Sequence, residues 1–310
     1  MDLDKVLSSK ILNGWRLFSV VTVPMSVMML IAMDGMDMSS ASGVSAMIAF
    51  SVRCSVPFIY LVVAASSLRI LAPGAFSDWL LRNRKYIGLC FAAAMAWQGL
   101  FIFIMSCFHR DYYFEEVFYL RDELEGSTGY IFLAAMVVTS FQFGRRILSS
   151  QQWKLLHKSG IYFLWAYPFS VYWWNLYYYG NARPIDYIFY WCGFLAFALR
   201  IAAWGKLRHE TDRGDIANNV PATPLWLKVL GSAVAACGLL VAATGQRWQP
   251  QVSAFLTGPE WSATLELWLP FWPFEPFLSL FIIGLGTLLM TTNVHTSYRE
   301  DSVADGVSEA

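Results

Sequence analysis

The chain has 310 residues, of which 57% are hydrophobic and 14% are charged, with a formal net charge of zero. Soluble domains carry nearer a quarter charged residues, so this composition predicts an integral membrane protein. Zero net charge gives no general attraction to nucleic acid. The five cysteines are too widely spaced for a disulfide framework, a CxxC redox pair or a zinc site.

Apolar runs of membrane-spanning length recur along the whole chain and predict eight membrane spans. These spans are expected to be helical, because the hydrocarbon interior offers no hydrogen-bond partners to unpaired backbone groups. The predicted spans are 12–33, 43–65, 85–107, 129–146, 159–179, 185–204, 224–245 and 271–292. The expected organisation is a six-helix domain at 1–206, a cytoplasmic loop at 207–223, two further helices with an outer interfacial loop at 224–292, and a disordered tail at 293–310.

The distribution of positive charge predicts the orientation of these spans. Of the 22 lysines and arginines, 17 fall in segments that lie on one side if both termini are cytoplasmic; four fall on the other side, and Arg53 lies within a span. Cytoplasmic segments carry such an excess. We therefore expect a multi-pass protein of a bacterial-type inner membrane, with both termini in the cytoplasm.

The first span ends in a methionine-rich segment, MDGMDMSS. Thioethers are soft ligands that suit Cu(I), and Met33, Met36 and Met38 are candidates for such a site on the periplasmic face. Methionine is also a common packing residue of apolar cores. Both interpretations stay open at the level of sequence.

Arg53 lies near the middle of the second predicted span. An arginine at the centre of a membrane helix costs about 2.5–3.5 kcal/mol on insertion scales and marks a candidate site. No predicted span holds a central acidic partner for it. Its partners are therefore backbone carbonyls, polar side chains such as Gln98, or an anionic ligand such as a haem propionate, a quinone oxygen or a lipid headgroup.

The outer loop at 108–128 carries six acidic residues against two arginines and is a candidate docking surface for a periplasmic or membrane protein. No loop has room for a soluble nucleotide-binding domain, and no P-loop or GxGxxG motif follows a strand. Electrons, if the protein carries them, would have to come from a quinone or a partner protein.

His157 lies between Lys154 and Lys158, where a basic segment becomes the apolar, aromatic fifth span. One interpretation is an interfacial residue that meets lipid phosphates. The other is a metal ligand, since histidine holds the metal in most membrane redox proteins.

Segments two to six resemble the ferric-reductase-like transmembrane family, in particular the haem-binding membrane subunits of periplasmic methionine sulfoxide reductase systems. The stretches that carry the resemblance are FSVRCSVPFIYLVVAASSLRIL, LRNRKYIGL, WKLLHKSGIY and ARPIDYIFYWCGFLAFALRI. It covers roughly residues 43–205. It implies a six-helix core that transfers electrons through b-type haem, held by histidines of the third and fifth spans.

Carried over residue by residue, the resemblance implies that His157 matches one haem ligand. Gln98 stands at the family's third-span ligand position, and Ser170 or Val171 stands at its second fifth-span position; none of these side chains is a usual axial ligand. The resemblance therefore predicts a haem-less or haem-poor membrane subunit, which binds a lipid, a quinone or a partner protein. One alternative is a haem b electron-transfer subunit that uses His157, and a second is copper handling by the methionine-rich segment. An enzymatic role, if there is one, would be that of an oxidoreductase membrane subunit.

Overall fold

The computed structural model describes residues 3–180, 182–216 and 223–292. Within these ranges the chain is helical and contains no β-strand, which confirms the prediction of an all-α fold for the described residues. The helices are α1 Leu3–Leu7, α2 Gly14–Asp34, α3 Ala41–Leu71, α4 Ala75–Phe108, α5 Arg110–Tyr112, α6 Leu120–Thr139, α7 Gln142–Arg145, α8 Ser150–Tyr177, α9 Pro184–Ile216, α10 Leu225–Ala243, α11 Gly245–Thr257, α12 Glu260–Trp268 and α13 Leu278–Met290. Short 3-10 turns lie at Lys10–Leu12 and Glu275–Phe277, and a π-helical turn at Tyr113–Val117.

Five helices are long and apolar enough to cross a membrane: Gly14–Asp34, Ala41–Leu71, Ala75–Phe108, Pro184–Glu210 and Leu225–Ala243. Large apolar side chains on these helices point away from the protein; Ile31 is 68% exposed and Phe103 is 60% exposed. Such surfaces suit a lipid environment, where apolar residues need no burial within the protein. The multi-pass membrane character is therefore supported, whereas the number of eight spans is not confirmed.

The other three predicted spans correspond to α6, α8 and α13, which differ from the expected apolar runs. Helix α6 begins in the polar sequence LRDELEGST and ends at Thr139, seven residues before the predicted end. Helix α8 begins nine residues early, in the polar sequence SQQWKLLHK. The predicted span 271–292 contains only the 13 residues of α13, because an irregular segment precedes that helix.

One predicted segment, the loop 207–223, is described only in part, and the predicted tail is not among the described residues. Helix α9 continues to Ile216 and so extends into the range predicted as the cytoplasmic loop 207–223. Residues 217–222 of that loop and the predicted tail at 293–310 lie outside the described residues.

Helix α3 lies at the centre of the bundle, where it packs against α4, α8 and α9, while α6 packs on α8. Their contact surfaces form one core cluster that includes Val63, Phe91, Trp165, Phe169 and Tyr190. A second cluster joins α2, α3 and α4 through buried methionines, among them Met29, Met47 and Met105. The adaptable thioether side chains fill the space between these helices.

Close helix packing at the C-terminal end depends on glycine. Helix α10 packs along α13, and a Cβ atom added to Gly286 would lie 2.6 Å from the carbonyl oxygen of Gly231. A Cβ added to Gly284, two residues away, would meet nothing within 4 Å. Gly286 therefore allows the backbones of α10 and α13 to approach each other, as small residues do in membrane helix pairs.

Candidate functional site

A cavity of about 650 Å³ lies between α4, α6, α8 and α9, with α3 behind it; we call it the His157 cavity. Six cationic side chains and one histidine line it: Arg84, Lys85, Arg145, Lys154, Lys158, Arg200 and His157. Apolar side chains form the deeper wall: Ile59, Val62, Leu89, Phe91, Leu133, Met136, Val137, Ile161 and Leu164. No carboxylate is among the described residues that line it. The cavity is therefore amphiphilic, with one strongly cationic side.

Four helices bring these charges together. Arg84 and Lys85 come from the first part of α4, Arg145 from the short helix α7, and Arg200 from α9. Helix α8 begins with a capping box: the Ser149 hydroxyl accepts a hydrogen bond from the amide of Gln152 at 3.2 Å, and the Gln152 side chain accepts one from the Ser149 amide at 2.9 Å. Reciprocal capping of this kind fixes a helix start. The cap thus fixes the start of α8 and, about two turns later, the position of His157 and Lys158 in the cavity wall.

Arg200 is held in place by the protein. Its Nε donates to the Tyr162 hydroxyl at 2.9 Å. Its Nη1 donates to the Val63 carbonyl oxygen at 3.1 Å and to the Ser66 hydroxyl at 3.2 Å. The second terminal nitrogen, Nη2, has no partner among the described residues. Arg200 is therefore an oriented cation with a spare donor group.

Arg84 differs from Arg200, because its half-buried guanidinium forms no hydrogen bond or ion pair with the described residues. Arg84 and Arg200 repel each other electrostatically. Two partly buried like charges without a shared anion raise the free energy of the ligand-free protein. An anion bound between Arg84 and Arg200 would attract both guanidiniums and so lower the free energy of the protein.

Two more cations rest on aromatic rings. The Arg145 guanidinium lies 5.0 Å from the ring centre of Trp153 and donates to the Leu148 carbonyl oxygen at 3.1 Å. The Lys85 ammonium lies 4.8 Å from the ring centre of Phe141. Cation–π contacts attract the charge without neutralising it. The positive potential of the cavity therefore persists.

His157 forms part of the cavity wall, where its ring packs on Trp153 at 4.3 Å between ring centres. Its Nε2 lies 3.0 Å from the Thr139 hydroxyl oxygen. That hydroxyl donates its own hydrogen to the Ala135 carbonyl oxygen at 2.7 Å, so it accepts from His157 Nε2. The structure therefore favours the tautomer with the hydrogen on Nε2.

Burial lowers the pKa of His157 below its ordinary value of about 6.5, and the positive charges of Arg84 and Arg145 lower it further. The imidazole is consequently neutral at pH 7. A bound anion would act in the opposite direction and favour the imidazolium form.

The two other residues predicted from the resemblance as haem-ligand positions, Gln98 and Ser170, do not line this cavity. The half-buried Gln98 accepts a hydrogen bond from the Tyr130 hydroxyl at 3.2 Å. The buried Ser170 donates to the Tyr167 carbonyl oxygen at 2.9 Å. Of the three predicted positions, His157 alone lines this cavity.

The donor set does not fit a haem with two axial ligands. Among the described residues that line the cavity, His157 is the one imidazole, and its Nε2 is engaged with Thr139. Aromatic rings fill the core beside Ser170: Trp165 stacks on Phe169 at 4.8 Å and on Phe197 at 4.4 Å. Binding of iron through Nε2 would first have to break the bond to Thr139.

The other sequence-predicted residues lie elsewhere. Arg53 is half-buried and does not line the His157 cavity. Met33 and Met38 pack against the second core cluster, whereas Met36 is 45% exposed. No group of three or more histidine, cysteine or acidic side chains is placed to hold a metal ion in the described parts of the chain.

The sequence interpretation did not identify Arg84, Lys85, Arg145 and Arg200 as one site. A signal was present, because all four fall in the positively charged segments at the predicted cytoplasmic ends of spans. Such charges also arise from the orientation rule alone. Only their convergence around one cavity separates the two explanations.

Comparison of the chain with protein families, with curated proteins and with solved structures finds no match.

Proposed function

We propose that this protein is a multi-pass inner-membrane protein that binds an amphiphilic anion in the His157 cavity, with the cationic side of the cavity facing the cytoplasm. One observation carries the proposal: six cationic side chains and no described carboxylate line a cavity with an apolar wall. The ligand class is a phosphate or carboxylate headgroup joined to an apolar body. The bias of lysine and arginine supports the orientation, with both termini cytoplasmic.

Size and charge both support this ligand class. A volume of about 650 Å³ lies within the range of small-molecule sites, and the apolar wall gives a hydrophobic body a place to bind. Guanidinium groups form strong, charge-assisted hydrogen bonds with phosphate and carboxylate oxygens. Arg200 has a free Nη2 for this purpose, and Arg84 has its whole guanidinium.

The test compares two single-chain amphiphiles, decyl phosphate and decanol, with the protein purified in a non-ionic detergent. We expect saturable binding of decyl phosphate, weak binding of decanol, and weaker phosphate binding in Arg84→Gln. Arg146→Gln is the matched control, because Arg146 is exposed and does not line the cavity. Equal binding of both amphiphiles, or an Arg84→Gln protein that binds like the wild type, would overturn the proposal.

The resemblance to the ferric-reductase-like family supplies a second candidate, a haem b electron-transfer subunit. The observation in its favour is that His157 shares its cavity with cations that suit haem propionates. We favour the haem-poor form of the proposal, because His157 is the one imidazole among the described residues that line the cavity. A Soret band in the purified protein that disappears in His157→Ala would decide for the haem-binding alternative.

Copper handling by Met33, Met36 and Met38 stays a prediction of the sequence. Its test is the Cu(I) affinity of the protein with all three residues replaced by leucine. A lower affinity would support the prediction, whereas an unchanged affinity would remove it. The acidic segment 108–128 likewise stays a predicted docking surface for a protein partner.

A further inference from the structure

A second cavity, of about 800 Å³, lies at the opposite end of α8; we call it the Glu275 cavity. It opens between the start of α6, the end of α8, the helices α11 and α12, and the irregular segment before α13. Trp174 in its wall is about 25 Å along α8 from His157, at 1.5 Å per residue. The two cavities are therefore separate sites.

The charge of this cavity is negative. Three carboxylates, those of Asp122, Glu266 and Glu275, line it together with one guanidinium, that of Arg121. Arg121 is already neutralised, because it donates to Glu266 at 2.9 Å and to Glu125 at 3.3 Å. Among the described residues, Asp122 and Glu275 form no ion pair. Burial raises the pKa of both carboxyl groups above the ordinary value, so a cation bound in the cavity would stabilise their ionised forms.

Glu275 is the decisive group. Its side chain is only 3% exposed, and its Oε1 receives no hydrogen bond. Ser253 and Gln249 approach the carboxylate but leave this oxygen without a partner. A buried, unsatisfied carboxylate oxygen is unfavourable, and such groups are ordinarily paired or bound to a ligand. The cavity beside Glu275 is where a positively charged ligand could approach it.

The surrounding segment holds Glu275 in position. The amide of Phe271 donates to Glu125 at 2.9 Å, and the indole of Trp272 donates to the Ser262 hydroxyl at 2.8 Å. These bonds tie the chain before Glu275 to α6 and α12. The carboxylate is consequently part of a preformed wall.

Aromatic rings form much of the remaining wall: Tyr119, Trp174, Tyr178, Tyr179 and Trp272. Aromatic faces attract organic cations, and quaternary ammonium groups are the best-known case. A hard metal ion would require several converging oxygen ligands instead. No such group of acidic side chains is present within the described residues. The combination of rings and uncompensated carboxylates therefore favours an organic cation.

We propose that the Glu275 cavity binds an organic ammonium compound, whose positive charge is balanced by Glu275 and Asp122 and whose body contacts the aromatic wall. The ammonium group can belong to a free solute or to a lipid headgroup. This proposal is independent of the anion site, because no residue lines both cavities.

The probe is choline, and its control is 3,3-dimethylbutan-1-ol, which has the same shape with carbon in place of the charged nitrogen. The protein is reconstituted in nanodiscs of digalactosyldiacylglycerol, a neutral lipid without an ammonium group, and tryptophan fluorescence reports binding. We expect choline to bind at least tenfold more tightly than the alcohol. Equal affinities, or no saturable binding of choline, would overturn the proposal.

Two variants locate the site. Glu275→Gln and Asp122→Asn should each weaken choline binding at least fivefold, whereas Glu260→Gln should not, because Glu260 is exposed on α12 and does not line the cavity. Decyl phosphate binding and thermal unfolding serve as folding controls. If Glu275→Gln does not fold, Asp122→Asn decides, and wild-type affinity in that variant refutes the proposal.

Nanodiscs of phosphatidylcholine separate the two sources of the ligand. If the lipid headgroup occupies the cavity, free choline should bind more weakly there than in digalactosyldiacylglycerol. If a free solute is the natural ligand, the choline affinity should be the same in both lipids. Each result supports the proposed chemistry and assigns its source.

Discussion

Arg84 and Arg200 line the same cavity, but substitution by glutamine should affect the protein in different ways. Arg200 forms three hydrogen bonds with Tyr162, Val63 and Ser66, whereas Arg84 forms none with the described residues. Arg200→Gln therefore removes structural contacts as well as a positive charge. Arg84→Gln removes only the charge and the repulsion between the two guanidiniums.

The hydrogen bonds set the expected magnitudes. Each is worth about 1 kcal/mol net, so Arg200→Gln should lower the free energy of unfolding by about 2–4 kcal/mol. Arg84→Gln should leave it unchanged or raise it slightly. A charge-assisted hydrogen bond to an anion contributes about 1.5–3 kcal/mol, so Arg84→Gln should weaken binding of decyl phosphate about 10- to 150-fold.

The assay is denaturant unfolding in mixed micelles, with and without decyl phosphate, followed by tryptophan fluorescence. Added ligand at about 100 times its dissociation constant should stabilise the wild type by about 2.7 kcal/mol. The same concentration should stabilise Arg84→Gln much less. Two results would refute the proposed roles of Arg84 and Arg200: equal destabilisation of the ligand-free protein by Arg84→Gln and Arg200→Gln, or stabilisation of both variants by decyl phosphate like that of the wild type.

Three further predictions concern His157, Gly286 and Ser149. As the pH falls from about 7.5 to 5.5, binding of decyl phosphate should tighten in the wild type relative to His157→Gln, by at most tenfold per unit, because an anion raises the lowered pKa of His157. The ratio of the two affinities cancels the titration of the phosphate itself, which takes up a proton in the same range. Isothermal titration measures both affinities, and a ratio that does not change with pH would contradict the prediction. Over the same range the ligand-free wild type should lose stability, because the unfolded chain takes up the proton first. Gly286→Ala should lower the free energy of unfolding by about 1–3 kcal/mol, because the added methyl group would overpack against Gly231. The control is Gly284→Ala, whose methyl group would enter open space. Equal changes in the free energy of unfolding for the two variants would contradict the prediction. Ser149→Ala should lower it by about 1 kcal/mol in the same assay through loss of the α8 cap, and no loss would contradict that role.

The helical membrane character follows from local sequence, whereas the two cavities do not. Apolar runs predict the bounds of α2 and α10 to within two residues, since each run alone determines a helix that lipid requires. They also predict that α3 and α4 exist, but α3 ends six residues after its predicted end and α4 begins ten residues before its predicted start. Helices α6 and α8 mix polar and apolar turns, so the apolar runs do not mark their ends; α8 begins instead at the local Ser149 cap. The grouping of Arg84 with Arg200 depends on how α4 and α9 cross. No sequence spacing encodes that crossing.

Different sequence signals bear on individual site residues. The basic residues on either side of His157 indicated a cationic interface, and Lys154 and Lys158 do line its cavity. Glu275 had no such signal, because it stood among apolar residues at the end of a predicted span. Its importance comes from burial and an unsatisfied oxygen, and both are properties of the folded protein.

The anchoring of Arg200 has a consequence for the kinetics of anion binding. An arginine side chain loses up to about 2 kcal/mol of conformational entropy when it is immobilised. Tyr162, Val63 and Ser66 have already restricted Arg200 before any ligand arrives. Lys154 and Lys158 are exposed and keep their freedom. We therefore expect the lysines to govern the association rate through long-range attraction, which salt screens, and Arg200 to govern the dissociation rate.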